Sequence, residues 1–197
     1  MSERKWVLGI PALEGSPQLG GVYVFPVAED AEKMYSHPAH PPDYQDAIIW
    51  FPSRPEFSPI YLSLNLRGAP GVATGIGEDV TGIWLAGASV GLGVPVPTRI
   101  ADKLRDREFS SFDMFRKAFW IEVGNDLELS EQFNPDNIKR LTRGLAPAAR
   151  IRDQAGKRFS FELHHQVRVT DGGAVYDADN LRINTPKNHI SIHKKTQ

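Results

Sequence analysis

Four of the six histidines fall within the last 34 residues of this 197-residue chain, and their spacing dictates a local fold. His189 and His193 stand four apart in Asn188-His189-Ile190-Ser191-Ile192-His193-Lys194, so a short helix would aim both imidazoles from one face. Pro186 suits the first turn of that helix and Thr185 its cap. Upstream, Phe159-Ser160-Phe161-Glu162-Leu163-His164-His165 alternates as a strand does, and Asp171-Gly172-Gly173 supplies a turn that accepts positive φ. Strand, glycine turn, strand and helix are therefore expected in order.

Successive side chains of a strand point to opposite faces, so His164 and His165 cannot serve one ion equally; one suits a ligand and the other a base. Three imidazoles leave a coordination position open, as a catalytic rather than a structural zinc site does, and the ion there can grip a phosphate oxygen. The spare imidazole, titrating near neutrality, can deprotonate water. A His-x-x-x-His pair alone is a weak signal, because exposed helices often carry histidines. The His-His pair across the glycine turn strengthens it, and a structural site would sooner use cysteine, of which the chain has none.

The runs Phe161-Glu162-Leu163-His164-His165, Gly172-Gly173-Ala174-Val175-Tyr176-Asp177-Ala178-Asp179-Asn180-Leu181 and Thr185-Pro186-Lys187-Asn188-His189-Ile190-Ser191-Ile192-His193 resemble the HNH nuclease domain of DNase bacteriocins, the nuclease colicins and S-type pyocins. The resemblance continues upstream through Trp84 to Ser89 and Val94 to Arg105, and covers about residues 67 to 197. It implies an α+β fold, a strand-turn-strand-helix (ββα-metal) motif on a helical body. It implies His164, His189 and His193 as metal ligands, His165 as the general base that activates water against the scissile phosphate, and Asn180 as the residue that holds the two strands together. Glu162 matches the family's acidic residue, which orients an arginine at the scissile phosphate. That arginine maps to Arg67 through Arg67-Gly68-Ala69-Pro70-Gly71-Val72-Ala73-Thr74-Gly75. Arg67 is then expected beside Glu162 at the metal; a guanidinium fork grips phosphate oxygens bidentately. At Asn188 the chain departs from the family, where a basic residue is frequent, and one phosphate contact is expected to weaken.

The same resemblance implies one divalent ion per site, zinc as the bound ion, with magnesium, nickel or another divalent ion supporting activity. It implies DNA as substrate and a small acidic immunity protein binding beside the site, around Arg116 and Asn134 to Ala148. Leu145-Ala146-Pro147-Ala148 lacks the bulky aromatic anchors of some colicins, so a different cognate inhibitor is expected.

A net charge of −1 hides an asymmetry. Residues 1 to 136 hold 11 Lys and Arg against 19 Asp and Glu; residues 137 to 197 hold 12 against 5. The basic end carries the histidines, and Arg168, Arg182, Lys187 and Lys194, with Lys157, Arg158 and Lys195, could neutralise flanking phosphates without reading sequence. The acidic stretch Asp126 to Glu131 with Asp136 is a possible modulator or an ordinary surface helix. No apolar run is long enough to span a bilayer, and Met1 to Trp6 lacks the apolar core of a signal peptide.

Two units are expected. Residues 1 to 66 contain strand-like runs Gly21 to Phe25, Ala47 to Phe51 and Ile60 to Asn65 and a helical run Ala28 to Tyr35. This small β-rich segment resembles, less specifically, the import-associated pyocin segment that precedes the nuclease. His37 and His40 lie in a proline-rich loop without a partner and read as solvent-facing. Residues 67 to 197 form the nuclease domain, with helices expected at Pro97 to Glu108 and Ser110 to Gly124, the latter placing Phe112, Phe115, Phe119 and Val123 in the core. The function expected is largely nonspecific DNA cleavage by a bacteriocin, released or delivered from its producer and acting in the target-cell cytoplasm. The rivals are an RNA-cleaving toxin and a non-enzymatic, zinc-stabilised DNA-binding or import module.

Overall fold

A computed structural model describes residues 23–26, 44–50 and 60–195. Its contacts divide the chain into two compact units, Met1–Leu66 and Arg67–Gln197. In the first unit, β1 (Tyr23–Pro26), β2 (Tyr44–Trp50) and β3 (Ile60–Asn65) form an antiparallel sheet in the order β1-β2-β3, with Tyr23 opposite Trp50 and Ile49 opposite Ile60. Branched and aromatic residues favour this pleated backbone. The helix expected at Ala28 to Tyr35, the loop histidines His37 and His40, and Met1 to Trp6 lie outside the described residues.

The second unit is mixed. β4 (Gly71–Val72) pairs antiparallel with β6 (Glu108–Phe109), and β5 (Val94–Pro95), β8 (Leu181–Asn184) and β7 (Glu162–His165) make a sheet in the order β5-β8-β7. Around them lie α1 (Thr98–Leu104), α2 (Phe112–Asn125), α3 (Leu127–Ser130), α4 (Pro135–Leu141) and α5 (Pro186–Lys195). α2 starts where the Ser111 hydroxyl accepts the Met114 N–H, a cap that stabilises a helix by about 1 kcal/mol. It buries Phe112, Phe115, Phe119, Trp120 and Val123, each at most 1% exposed, against Trp84, Leu104, Leu141 and Ile183. Each buried phenylalanine contributes roughly 1.5–3 kcal/mol of transfer free energy. The four residues expected on the core face are all in the core.

The helix expected to reach Glu108 stops at Leu104. Asp106 adopts φ 65°, its N–H donates to the Ala73 carbonyl (3.0 Å), and Ala73 N–H donates to the Arg107 carbonyl (2.9 Å). The backbone after Leu104 therefore exchanges helical bonds for a ladder with residues 71–73. The strand expected from Phe159 is also shorter, because Phe161 N–H is taken by the Pro147 carbonyl at 3.0 Å before β7 begins.

Candidate metal centre

Strand β7, strand β8 and helix α5 place the histidines. β7 and β8 are antiparallel, with His164 opposite Arg182 and His165 opposite Leu181. The connection closes through Gly172 at φ 87°. Asn180 ties it down, its Oδ1 accepting Val167 N–H (2.8 Å) and its Nδ2 donating to the carbonyls of Val167 (3.1 Å) and Ala174 (3.0 Å). α5 begins at buried Thr185, whose hydroxyl accepts the Asn188 N–H (3.4 Å) and whose carbonyl accepts that of His189 (2.9 Å). Pro186 follows, where a missing N–H costs nothing.

On one face of β7, His164 meets the helix pair. Its ring centroid lies 4.9 Å from that of His189 and 5.1 Å from that of His193. One nitrogen from each of the three lies within 4.8 Å of the others, a group that can hold a metal ion. His189 Nδ1 donates to Glu162 Oε2, which leaves the Nε2 lone pair facing His193 Nε2 at 3.0 Å. Burial, then the neighbouring His189 and His193, hold the His164 pKa down to about 4, so its imidazole is neutral at physiological pH. Three imidazole nitrogen donors, one steadied by a carboxylate on its far nitrogen, fit a borderline divalent ion.

His165 faces the other way. It is 8% exposed, its ring packs 4.9 Å from that of Phe112, and its Nε2 donates to the Val175 carbonyl at 2.9 Å. A carbonyl only accepts, so Nε2 carries the proton and Nδ1 the lone pair.

Glu162 has a different arginine partner from the one expected. Arg158 Nε donates to Glu162 Oε1 at 2.7 Å, and its Nη2 to Oε2, the oxygen that also takes the His189 proton. Arg158 Nη2 and His189 Nδ1, 3.0 Å apart, are two donors converging on that oxygen. Burial by itself would raise the Glu162 pKa; the hydrogen bonds and charges of His189 and Arg158 outweigh it and bring it to about 2. Arg158 stood in the sequence only as one basic residue among several. Its signal was the four-residue spacing before Glu162, which a short turn ahead of the strand converts into a fork. Arg67 instead lies with its guanidinium carbon 4.4 Å from the centroid of the Phe112 ring, the ring that His165 touches.

The four named cations differ. Arg182 is committed to Glu78 at 2.6 Å with its side chain 19% exposed, whereas Lys187 and Lys194 are exposed and Arg168 is half-buried. Asn188 is a structural link, its Nδ2 donating to the Gly91 carbonyl (3.1 Å) and Asn184 Oδ1 (2.6 Å). In the acidic stretch, Asp126 caps α3 by accepting Leu129 N–H (3.1 Å) and pairs with Arg99 (3.5 Å).

Away from the histidines, Arg116 pairs with Asp113 at 3.0 Å, Asn134 caps α4, and Asn137 exchanges hydrogen bonds with Ala148. Arg140 donates to the Ala146 carbonyl (2.8 Å) and Ser160 Oγ (2.9 Å). A groove of about 290 Å³ runs from Arg116 past Leu145 and Lys157 to Arg158 and Glu162. No helix among the described residues is long and apolar enough to cross a membrane.

The chain is similar to known proteins. Residues 71–195 match the family described as "Colicin/Pyocin-S2, DNase domain". Colicin-E8 of Escherichia coli is 59% identical over 125 residues, 64% of this chain and 61% of its own length. Pyocin-S1 of Pseudomonas aeruginosa is 50% identical over 151 residues, 76% of this chain and 24% of its own length. Among solved structures, the mutant nuclease domain of pyocin S8 with its cognate immunity protein matches at 54% identity and TM-score 0.62, covering 62% of this chain and 98% of that one. The pyocin AP41 DNase–immunity complex matches at 51% and 0.62, covering 64% and 98%. The chain thus spans less than two thirds of either bacteriocin, and the family match contains every residue of the histidine cluster. With that span matched from β4 to α5, the chain belongs to the colicin/pyocin DNase domain family.

Proposed function

We propose that residues 67–197 are the cytotoxic nuclease of an antibacterial protein, an HNH endonuclease that hydrolyses DNA phosphodiesters with a divalent ion and little sequence preference. The observation that carries this reading is the division of labour on β7: His164 turns to His189 and His193, and its neighbour His165 turns away with one nitrogen anchored. His164, His189 and His193 would hold the ion, zinc being the species that three imidazoles favour, with magnesium or nickel also able to support turnover. When bound, the ion supplies Lewis-acid stabilisation of charge on phosphate oxygens.

The chain's own residues do the rest. His165 Nδ1 takes a proton from the attacking water, and the Val175 carbonyl fixes the tautomer that allows it. Glu162 orients Arg158 and His189 together, so a guanidinium stands beside the ligand set where phosphate charge develops. Arg67 serves the same phosphate from the side of His165, and Asn180 keeps the two strands at fixed separation. Arg168, Lys187 and Lys194 attract the flanking backbone; Arg182, spent on Glu78, contributes less than its position in the sequence suggests.

The pyocin complexes extend the reading to a partner. A small acidic immunity protein would cover Arg116 and the segment Asn134 to Ala148, beside the site, and protect the producer. Residues 1–66 would be part of an import-associated segment, and the nuclease would act in the cytoplasm of the target cell after release from the producer. The test is incubation of the full chain with supercoiled plasmid in zinc, magnesium or nickel, with and without a chelator. Chelator-sensitive nicking is expected; a shift of the DNA without nicking would leave only a binding module, and cleavage of RNA but not DNA would move the chain to another toxin class.

A further inference from the structure

Phe112 is the first residue of α2, 1% exposed, and it contacts two groups far apart in sequence. The Arg67 guanidinium carbon lies 4.4 Å from its ring centroid, inside the cation–π range, and the His165 ring lies 4.9 Å away with a 44° tilt. The ring itself is held on its remaining sides. Phe115 stacks on it at 5.6 Å, and Tyr176 meets it edge-on at 6.2 Å.

Tyr176 ties both ends of this arrangement together. Its hydroxyl donates to the Ala69 carbonyl, two residues after Arg67, and its backbone carbonyl accepts the Thr74 N–H at 3.0 Å. A Cβ at Gly71 would come within 2.4 Å of the Tyr176 ring, so the chain passes flat against it. The residue before Tyr176 is Val175, whose carbonyl holds His165. Arg67 and His165 are therefore both supported by one aromatic cluster, and Phe112 is the member that touches each side chain.

We propose that Phe112 is a positioning residue whose ring is the shared platform that holds the Arg67 guanidinium and the His165 imidazole in register for one phosphate. The inference rests on the nuclease reading above and deepens it. It gives the arginine an electrostatic anchor through the ring quadrupole, independent of Glu162, whose oxygens are taken by Arg158 and His189. A residue that only filled the core would act through its shape, and its π charge would be irrelevant.

The test replaces Phe112 in the full chain with 4-fluoro-, 3,5-difluoro- and pentafluorophenylalanine, which nearly keep the ring's shape while weakening its quadrupole in steps and, at the last, reversing it. Plasmid nicking should lose kcat progressively, reaching roughly 2- to 30-fold at pentafluorophenylalanine, the span of one cation–π contact. KM and zinc affinity should stay constant, and the series should be flat in an Arg67→Ala background, which carries the same change in core packing. A flat series in the unsubstituted background, or an equal slope without Arg67, overturns the proposal. Should pentafluorophenylalanine prevent folding, the two milder members carry the same slope. The Arg67 Nε–Hε resonance reads the platform without turnover: it should move stepwise toward the position of a solvated arginine along the series, and an insensitive resonance overturns the platform. If the unsubstituted chain nicks no DNA in any divalent ion, the nuclease reading falls separately and this resonance still decides the platform.

Discussion

The two faces of β7 carry the same side chain one residue apart and treat it in opposite ways. Toward α5, His164 is surrounded by other imidazoles, and burial together with their charge keeps it neutral. Toward α2, His165 sits against a phenylalanine ring and donates a hydrogen bond from Nε2 to a carbonyl. Chemical identity therefore decides little here. Strand alternation decides which partners each imidazole meets, and the partners decide whether its lone pair joins a converging donor set or is directed elsewhere.

Exchanging the two roles is the most severe way to break this comparison. His165→Ala should cut DNA cleavage by about 10²–10⁴-fold, the contribution of a positioned base, with the metal affinity measured by calorimetry nearly intact. Loss of the ion along with activity would mean that the two faces are reversed. On the opposite face, His193→Ala should weaken zinc binding and shrink the stabilisation that the ion gives the folded chain, about 2.7 kcal/mol at a hundredfold excess over Kd. Calorimetric scans with and without chelator measure it, and an unchanged metal-induced shift would remove His193 from the cluster.

A milder probe touches the base face only. Arg67→Ala should lower turnover by on the order of 10²-fold, with DNA affinity changed far less, because many other cations share the nonspecific binding. Normal turnover in single-turnover kinetics would end that assignment. The clasp beneath both faces comes next: Asn180→Ala removes its solvent-accessible bonds to Val167 and Ala174 and should cost roughly 0.5–1.5 kcal/mol in urea unfolding. The smallest effect separates two surface cations. Lys194→Ala should reduce the salt slope of DNA binding by about one, whereas Arg182→Ala, which loses a charge already matched by Glu78, should leave it nearly unchanged.

The order strand, turn, strand, helix was legible because it rests on local rules: period two around His164, positive φ at Gly172, and proline after a threonine cap at the start of α5. The core face of α2 was legible for the same reason, through its helical period. What escaped were outcomes of competition at a distance. The Arg158 fork on Glu162 is set by how the chain turns ahead of β7, which the four-residue spacing alone does not specify. The stop of α1 at Leu104 depends on residues 71–73 offering better backbone partners than another helical turn. Arg182 looked like every other basic residue until the fold brought Glu78 against it, a hundred positions upstream.

The Tyr176 hydroxyl bond to Ala69 and the Thr74 N–H bond to the Tyr176 carbonyl fasten the opening of the second unit to its closing third. Arg67 and α5 are consequently the earliest and latest parts of one constellation. During synthesis the intervening helices can pack as they emerge, but the imidazole donors of α5 arrive last and the arginine waits for Tyr176 to hold its segment in place. The site is thus a property of the finished unit, and a chain stalled before α5 lacks two of the three imidazole donors.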